Sequence, residues 1–96
     1  MTIRSFRDDG TRDIAKGENS KKARRTVPQD LIAAVRTLEA LDAASMLTDL
    51  QLPGLRLEAL SGELAGFYSI RVNQKYRVIF KFENGEATDV EIIDYH

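Results

Sequence analysis

Two arginines on neighbouring strands and one histidine are the residues of this 96-residue chain best suited to chemistry. From Gly66 to Phe82 the sequence reads G-F-Y-S-I-R-V-N-Q-K-Y-R-V-I-F-K-F. These are two alternating runs joined at Asn73-Gln74-Lys75, which predicts a β-hairpin with one buried and one solvated face. Period two turns Tyr68, Ile70, Val72, Val78, Phe80 and Phe82 toward a core and leaves Ser69, Arg71, Arg77, Ile79 and Lys81 on the other side. Arg71 and Arg77 then rise from one open surface. Paired guanidinium groups present forked donors to phosphate oxygens and keep their charge near neutrality. The same pattern also suits an ordinary amphipathic hairpin whose arginines are only solvated. His96 is the only histidine, and its unperturbed pKa near neutrality makes it the best candidate for proton transfer. One histidine and scattered carboxylates give no metal-ligand spacing, and neither a Gly-rich phosphate loop nor a nucleophile motif is present. No metal or cofactor is expected.

The elements that must position these residues follow from periodicity and punctuation. Ile3 to Phe6 reads as a short first strand closed by the turn signal Asp8-Asp9-Gly10. Thr11 to Lys16 fits one or two helical turns ending at Gly17. The segment Gly17 to Arg25 has no hydrophobic period and reads as a basic loop or frayed helix. Thr26-Val27-Pro28-Gln29 has the form of a capping box. A helix after it carries the stripe Leu31, Val35, Leu38 and Leu41 or Asp42, with Asp30, Arg36, Thr37 and Glu39 toward water. Ala43 to Leu50 continues into a second short helical element stopped by Pro53-Gly54. Leu55 to Leu60 alternates, so Leu55, Leu57 and Ala59 are expected to face the helices while Arg56 and Glu58 share the open face. Asn84-Gly85 marks a tight turn, and Asp89 to Asp94 alternates again, with Val90 and Ile92 inward and Glu91, Ile93 and Tyr95 outward. The expected fold class is α+β: an N-terminal strand and helices packed on one face of a mostly antiparallel sheet. The uncovered face would collect Arg56, Glu58, Ser69, Arg71, Arg77, Lys81, Glu91 and Tyr95.

Length fits a single domain over residues 1–96, and 43% hydrophobic with 30% charged residues is ordinary for a globular protein. The chain has no cysteine, which excludes disulfides, thiolate catalysis and Cys-based zinc sites. Without an apolar run long enough for a bilayer or a signal peptide, a cytoplasmic protein with no membrane contact is expected. The formal net charge of -1 hides an asymmetry. Residues 1–25 hold eight basic and four acidic side chains, a balance of +4, whereas residues 26–68 hold two and six, a balance of -4. A nucleic-acid partner would therefore meet a local basic surface rather than a basic molecule.

Several blocks together resemble the HigB-type toxins of the RelE/ParE superfamily. They are Ile3-Arg4-Ser5-Phe6, Leu41-Asp42-Ala43-Ala44, Pro53-Gly54, Arg56-Leu57-Glu58-Ala59-Leu60-Ser61-Gly62, the hairpin Tyr68 to Arg77, and Val90 to His96. The resemblance spans almost the whole chain. It implies a RelE-like fold and a toxin of a type II toxin-antitoxin pair, a metal-independent endoribonuclease that cuts mRNA on the ribosome. It also implies neutralisation by a helix-turn-helix, HigA-like antitoxin, with operator DNA met only through that partner. Carried over by position, it implies working residues at Arg71 or its neighbour Asn73, Arg77, Tyr95 and His96; the catalytic set expected is Arg71, Arg77, Tyr95 and His96, and RNA contacts are expected from Arg56, Asn73, Lys75, Lys81 and Glu91. Glu58 stands where some relatives place a catalytic basic side chain. Leu55 replaces the Asn of the usual Pro-Gly-Asn-Arg.

Metal-free RNA cleavage needs a group to deprotonate the 2'-hydroxyl, a group to protonate the leaving oxygen, and positive charge for the transition state. Arg71 and Arg77 suit the third task. As the last residue, His96 is expected to be held largely protonated by a terminal carboxylate and to act as the acid, leaving proton removal to Glu91, Tyr95 or solvent. Tyr95 is either a core aromatic anchoring the last strand or a ring on which a splayed base stacks. Two other outcomes remain open on these residues: a gyrase-type toxin that binds protein without catalysis, and a weakened toxin acting mainly as the antitoxin's corepressor. The basic N-terminal quarter, with Lys21, Lys22, Arg24 and Arg25, is the expected contact for an acidic antitoxin segment.

Overall fold

A computed structural model describes residues 2–94. Five strands form one sheet: β1 (Thr2–Ile3), β2 (Glu58–Ala59), β3 (Phe67–Arg71), β4 (Tyr76–Glu83) and β5 (Glu86–Asp94), in the order β1-β5-β4-β3-β2. β1 pairs parallel to β5, and every other neighbouring pair is antiparallel. Three helices, α1 (Asp9–Ala15), α2 (Lys21–Thr26) and α3 (Leu31–Ala43), cover one face. The α+β expectation is met.

The core lies between this helical layer and the sheet. Ile14, Ala23, Val27, Ala34, Leu38, Leu41 and Leu50 meet Ile70, Val78, Phe80, Val90 and Ile92, all nearly inaccessible to water. Fully burying each large apolar side chain contributes about 1.5–3 kcal/mol, so this interface dominates the stability. Asn84 and Gly85 both have positive φ (50° and 78°), as a two-residue turn between twisted antiparallel strands requires. The β4–β5 register slips between Ile79 and Lys81, where β5 carries one extra residue beside Asp89, itself at φ 51°. That bulge puts Ala87, Val90 and Ile92 on the same buried face although Ala87 and Val90 are three residues apart.

The helical layer differs from the sequence expectation in several places. Asp8 does not close a turn. It caps α1, accepting from the Thr11 amide, and Gly10 lies inside the helix. The basic segment read as a loop or frayed helix forms α2. Ser20 caps it by accepting from Ala23 N while its hydroxyl donates to Asp13 at 2.6 Å, and Ala23 and Val27, four apart, are buried. Thr26 therefore ends a helix instead of starting one: its hydroxyl donates to the Lys22 carbonyl, and the expected capping box is absent. Asp30 takes the cap position of α3 but makes no side-chain cap bond, because its carboxylate accepts from Asn73 Nδ2 instead. Thr37, expected in water, is buried with its hydroxyl bonded to the Ala33 carbonyl. The strand expected over Leu55 to Leu60 shrinks to Glu58–Ala59; Leu55 and Leu57 do pack on the core, but Ala59 is exposed.

Candidate phosphate-binding hollow

The sheet face away from the helices is not the open polar surface that alternation implies. Ser69 and Ile79 are directly paired across β3 and β4, and both are buried, as is Arg77. Longer neighbours bury them. Arg7 forms an ion pair with Glu91 at 3.5 Å and lies 5.4 Å from the centroid of the Phe67 ring, so it spans this face from β5 to β3. Lys81 stands 5.2 Å from the same ring and 3.6 Å from Asp89.

At one end of this face is a hollow of about 210 Å³ lined by Arg56, Arg71, Asn73, Gln74 and Arg77. Arg71 and Arg77 are direct register partners, as the hairpin pattern predicts. The turn joining their strands is organised by Asn73, whose Oδ1 accepts from the Lys75 and Tyr76 amides at 2.9 and 2.8 Å. The Arg71 Nε donates to the Asn73 carbonyl at 3.1 Å, tying that guanidinium to the turn. The third arginine arrives from the segment before β2. The Arg71 amide donates to the Leu55 carbonyl at 2.6 Å, and Arg77 Nη2 donates to the Arg56 carbonyl. Arg56 itself has φ 46°.

The three arginines differ in depth and in what they hold. Arg77 is only 7% exposed; besides the Arg56 carbonyl it approaches the Ser69 carbonyl at 3.4 Å, and its Nη1 stands 3.6 Å from the Glu58 carboxylate. It does not rise from an open surface. Arg71 is half-buried and Arg56 exposed, and the Arg56 side chain makes no hydrogen bond or ion pair among the described residues. Three guanidinium groups around one small concavity suit an anion with several acceptor oxygens, such as a phosphodiester.

The structure gathers some of the expected site residues and separates others. Arg56, Arg71, Asn73 and Arg77 share the hollow. Asn73 is engaged through both ends of its amide, which gives it a turn-building task. Lys75 points elsewhere, 3.9 Å from Asp94 and 5.5 Å from the Tyr76 ring centroid. Lys81 and Glu91 belong to the covered strip of the sheet and do not line the hollow. Tyr95 and His96 lie outside the described residues; they follow Asp94, which pairs with Tyr76 beside the turn. Gln74 and the pairing of Glu58 with Arg77 were not anticipated. The register Glu58↔Ser69 that sets this pairing depends on a two-residue strand too short to leave a period. Among the described residues, no group of three or more His, Cys, Asp or Glu side chains is placed to hold a metal ion. No helix among them is long and apolar enough to cross a membrane.

Residues 4–96 match the family described as RelE-like toxin of type II toxin-antitoxin system HigB. The chain belongs to the HigB-like toxin family. It is 47% identical over 68 residues to Toxin HigB-1 of Vibrio cholerae, covering 69% of this chain and 72% of that protein. It is 33% identical over 96 residues to Endoribonuclease HigB of Proteus vulgaris, covering 98% and 99%. Among solved structures, the YoeB-YefM toxin-antitoxin complex of Staphylococcus aureus aligns with a TM-score of 0.59 at 14% identity over 100% of this chain and 99% of the other. The YoeB/ParE toxin of Agrobacterium tumefaciens aligns at 0.56 and 16% over the full length of both chains. The fold is therefore that of the YoeB and ParE toxins, and the family is that of toxins paired with an antitoxin.

Proposed function

We propose that this HigB-like toxin is an endoribonuclease that cuts mRNA on the ribosome, with the scissile phosphate seated in the hollow of Arg56, Arg71 and Arg77. The observation that carries the reading is that convergence of three guanidinium groups on one concavity, in a chain aligned end to end with a protein named Endoribonuclease HigB. The 2'-hydroxyl attacks the adjacent phosphorus, its proton leaves to a base, and the 5'-oxygen departs with a proton from an acid. The arginines neutralise charge as it builds on the equatorial oxygens. His96 supplies the leaving-group proton. Glu91 is paired with Arg7 and does not line the hollow, so Tyr95 or solvent is the base this reading favours.

Purified protein mixed with translating ribosomes, with mRNA ends mapped by primer extension, is the direct test. Cleavage in the parent that falls about a hundredfold or more in Arg71→Ala, and likewise on deletion of His96, is the expected result. Intact mRNA with the parent protein would remove the nuclease reading and favour a toxin that binds a protein target.

The antitoxin we propose is a helix-turn-helix protein that meets the helical layer. Of the basic N-terminal residues, Arg7 is committed to the sheet face, and Lys22 and Arg12 are paired with Asp9 at 2.8 and 3.4 Å. Lys16, Lys21, Arg24 and Arg25 stay exposed and offer an acidic antitoxin segment its contact. Co-purification that survives reversal of these four residues to Glu would show that the antitoxin docks elsewhere.

A further inference from the structure

We infer that the outer ridge of α3 is an interface between two copies of this chain, packed antiparallel about a two-fold axis. The pairing does not depend on the chain's being a nuclease. With 3.6 residues to a turn, Ile32, Arg36, Glu39 and Ala43 fall within about 60° of one another around the helix. All four are exposed, and Ile32, at 70%, is the most exposed large apolar side chain among the described residues. Half-buried Leu31 and Val35 stand beside it and line, with Arg36 and Glu39, a shallow hollow of about 330 Å³. A single exposed aliphatic side chain is ordinary on a protein surface. The order of side chains along this ridge is what points to a second copy.

The ridge is complementary to itself when reversed. An axis crossing α3 between Thr37 and Leu38 sets Ile32 level with Ala43 of the second copy and Arg36 level with Glu39 of the second copy. Two-fold symmetry makes each contact twice. The large apolar side chain meets the small one, and each charge meets its opposite. Arg36 and Glu39 are three residues apart, yet the side chain of neither forms an ion pair or hydrogen bond among the described residues. Both are available to reach across. Their charges cancel, so the ridge draws neither an acidic nor a basic segment, whereas a reversed copy of itself presents the signs in matching order. Moving the axis to Arg36 or to Glu39 would bring like charges together, which fixes the register. The phosphate hollow lies on the sheet face away from the helices, so pairing through α3 leaves it open in both copies. One helix from each copy makes a small interface, and the dimer is expected to be reversible at about micromolar concentrations or above.

The test is sedimentation equilibrium of the full chain, freed of antitoxin, over a concentration series, with melts recorded on every variant. The parent should show a reversible monomer–dimer equilibrium. Ile32→Asp, Arg36→Glu and Glu39→Arg should each raise the dissociation constant at least about tenfold, by putting a charge into the apolar contact or like charges across the axis. All three positions face solvent, so the variants should melt as the parent does. Mixing the Arg36→Glu and Glu39→Arg proteins restores opposite signs at both contacts. The mixture should form heterodimers about as tightly as the parent pairs with itself, although neither protein does so alone. A chain carrying both changes should likewise dimerise as the parent does. A mixture that stays monomeric, or an Ile32→Asp protein that dimerises undiminished, would overturn the inference. So would a parent that is monomeric at every concentration; slower deuterium exchange of α3 in the toxin–antitoxin complex would then give this face to the antitoxin instead.

Discussion

Replacing Gly10 with alanine tests how closely α1 and α2 approach. A Cβ built at Gly10 would lie 1.9 Å from Thr26 Oγ1, 2.8 Å from the Lys22 carbonyl oxygen and 3.1 Å from Thr26 Cβ. Rotating Thr26 relieves the first contact only by breaking its bond to the Lys22 carbonyl. The second contact is with helix backbone and yields only if α2 moves. Forcing a methyl group into such packing costs about 1–3 kcal/mol, and the lost hydroxyl bond adds about 1 kcal/mol. Alanine's better helix propensity returns about 1 kcal/mol. The net destabilisation expected is about 1–3 kcal/mol, and each kcal/mol lowers the Tm by about 4–8 °C in a domain of this size. Thermal and urea melts of Gly10→Ala, alone and with Thr26→Ala, measure it; the second change should recover part of the loss by removing the hydroxyl. Because both helices lie across the sheet from the hollow, cleavage per folded molecule should be unaffected. If Gly10→Ala melts at or above the parental temperature, the helices do not meet through bare backbone there, and the reasoning fails.

Asn73→Ala removes two bonds to backbone amides and one to Asp30; urea titration should show a loss of about 1–3 kcal/mol, and cleavage should fall because the turn that holds Arg71 loosens. Lys81 and Glu91 do not line the hollow, so primer extension with Lys81→Ala and Glu91→Gln should find cleavage at the parental rate; a large loss in either would extend the RNA path along the sheet. The Asp9 carboxyl is held below its ordinary value of 3.8 by the hydrogen bond from Lys22, then by the charges of Lys22 and Arg12. A lowered folded-state pKa gives stability that is complete above the unfolded value and lost as pH falls through the folded one. The Tm difference between the parent and Lys22→Met should therefore be constant at neutral pH and close below about pH 4. A difference that persists into stronger acid would assign the stabilisation to something other than this ion pair.

Hairpin alternation placed Arg71 opposite Arg77 and turned Ile70, Val78 and Phe80 inward, because period two is strict in paired strands. It could not show that the arginine face is covered. That depends on Arg7, more than fifty residues upstream, crossing from Glu91 to Phe67. Local rules also failed where one residue suits two tasks. Thr26 has the chemistry of an N-cap, yet it closes α2, and Asp30, expected toward water, stands at the cap position of α3 with its carboxylate bonded to Asn73. The better signal for α2 was present but sparse: Ser20 three residues before Ala23, and Val27 four beyond it. Arg56 entered the expected site through the polar face and the family resemblance. Its left-handed backbone, which brings it to the hollow, has no sequence mark, since glycine or asparagine is the usual sign of that conformation.

The parallel pairing of β1 with β5 has a bearing on the order in which the sheet can assemble. β5 is the last strand of the described chain, yet it stands between β4 and β1. The amides of Arg4 and Arg7 bond to carbonyls of Ala87 and Val90, and the Ile92 amide bonds to the Thr11 hydroxyl. Residues of β1 therefore find their sheet partners more than eighty residues further along the chain. Until β5 has formed beside β4, β1 has no sheet edge to join, and contacts this distant in sequence form late. The β1 edge of the sheet is consequently among the last parts of the fold to close, although β1 precedes every other described strand.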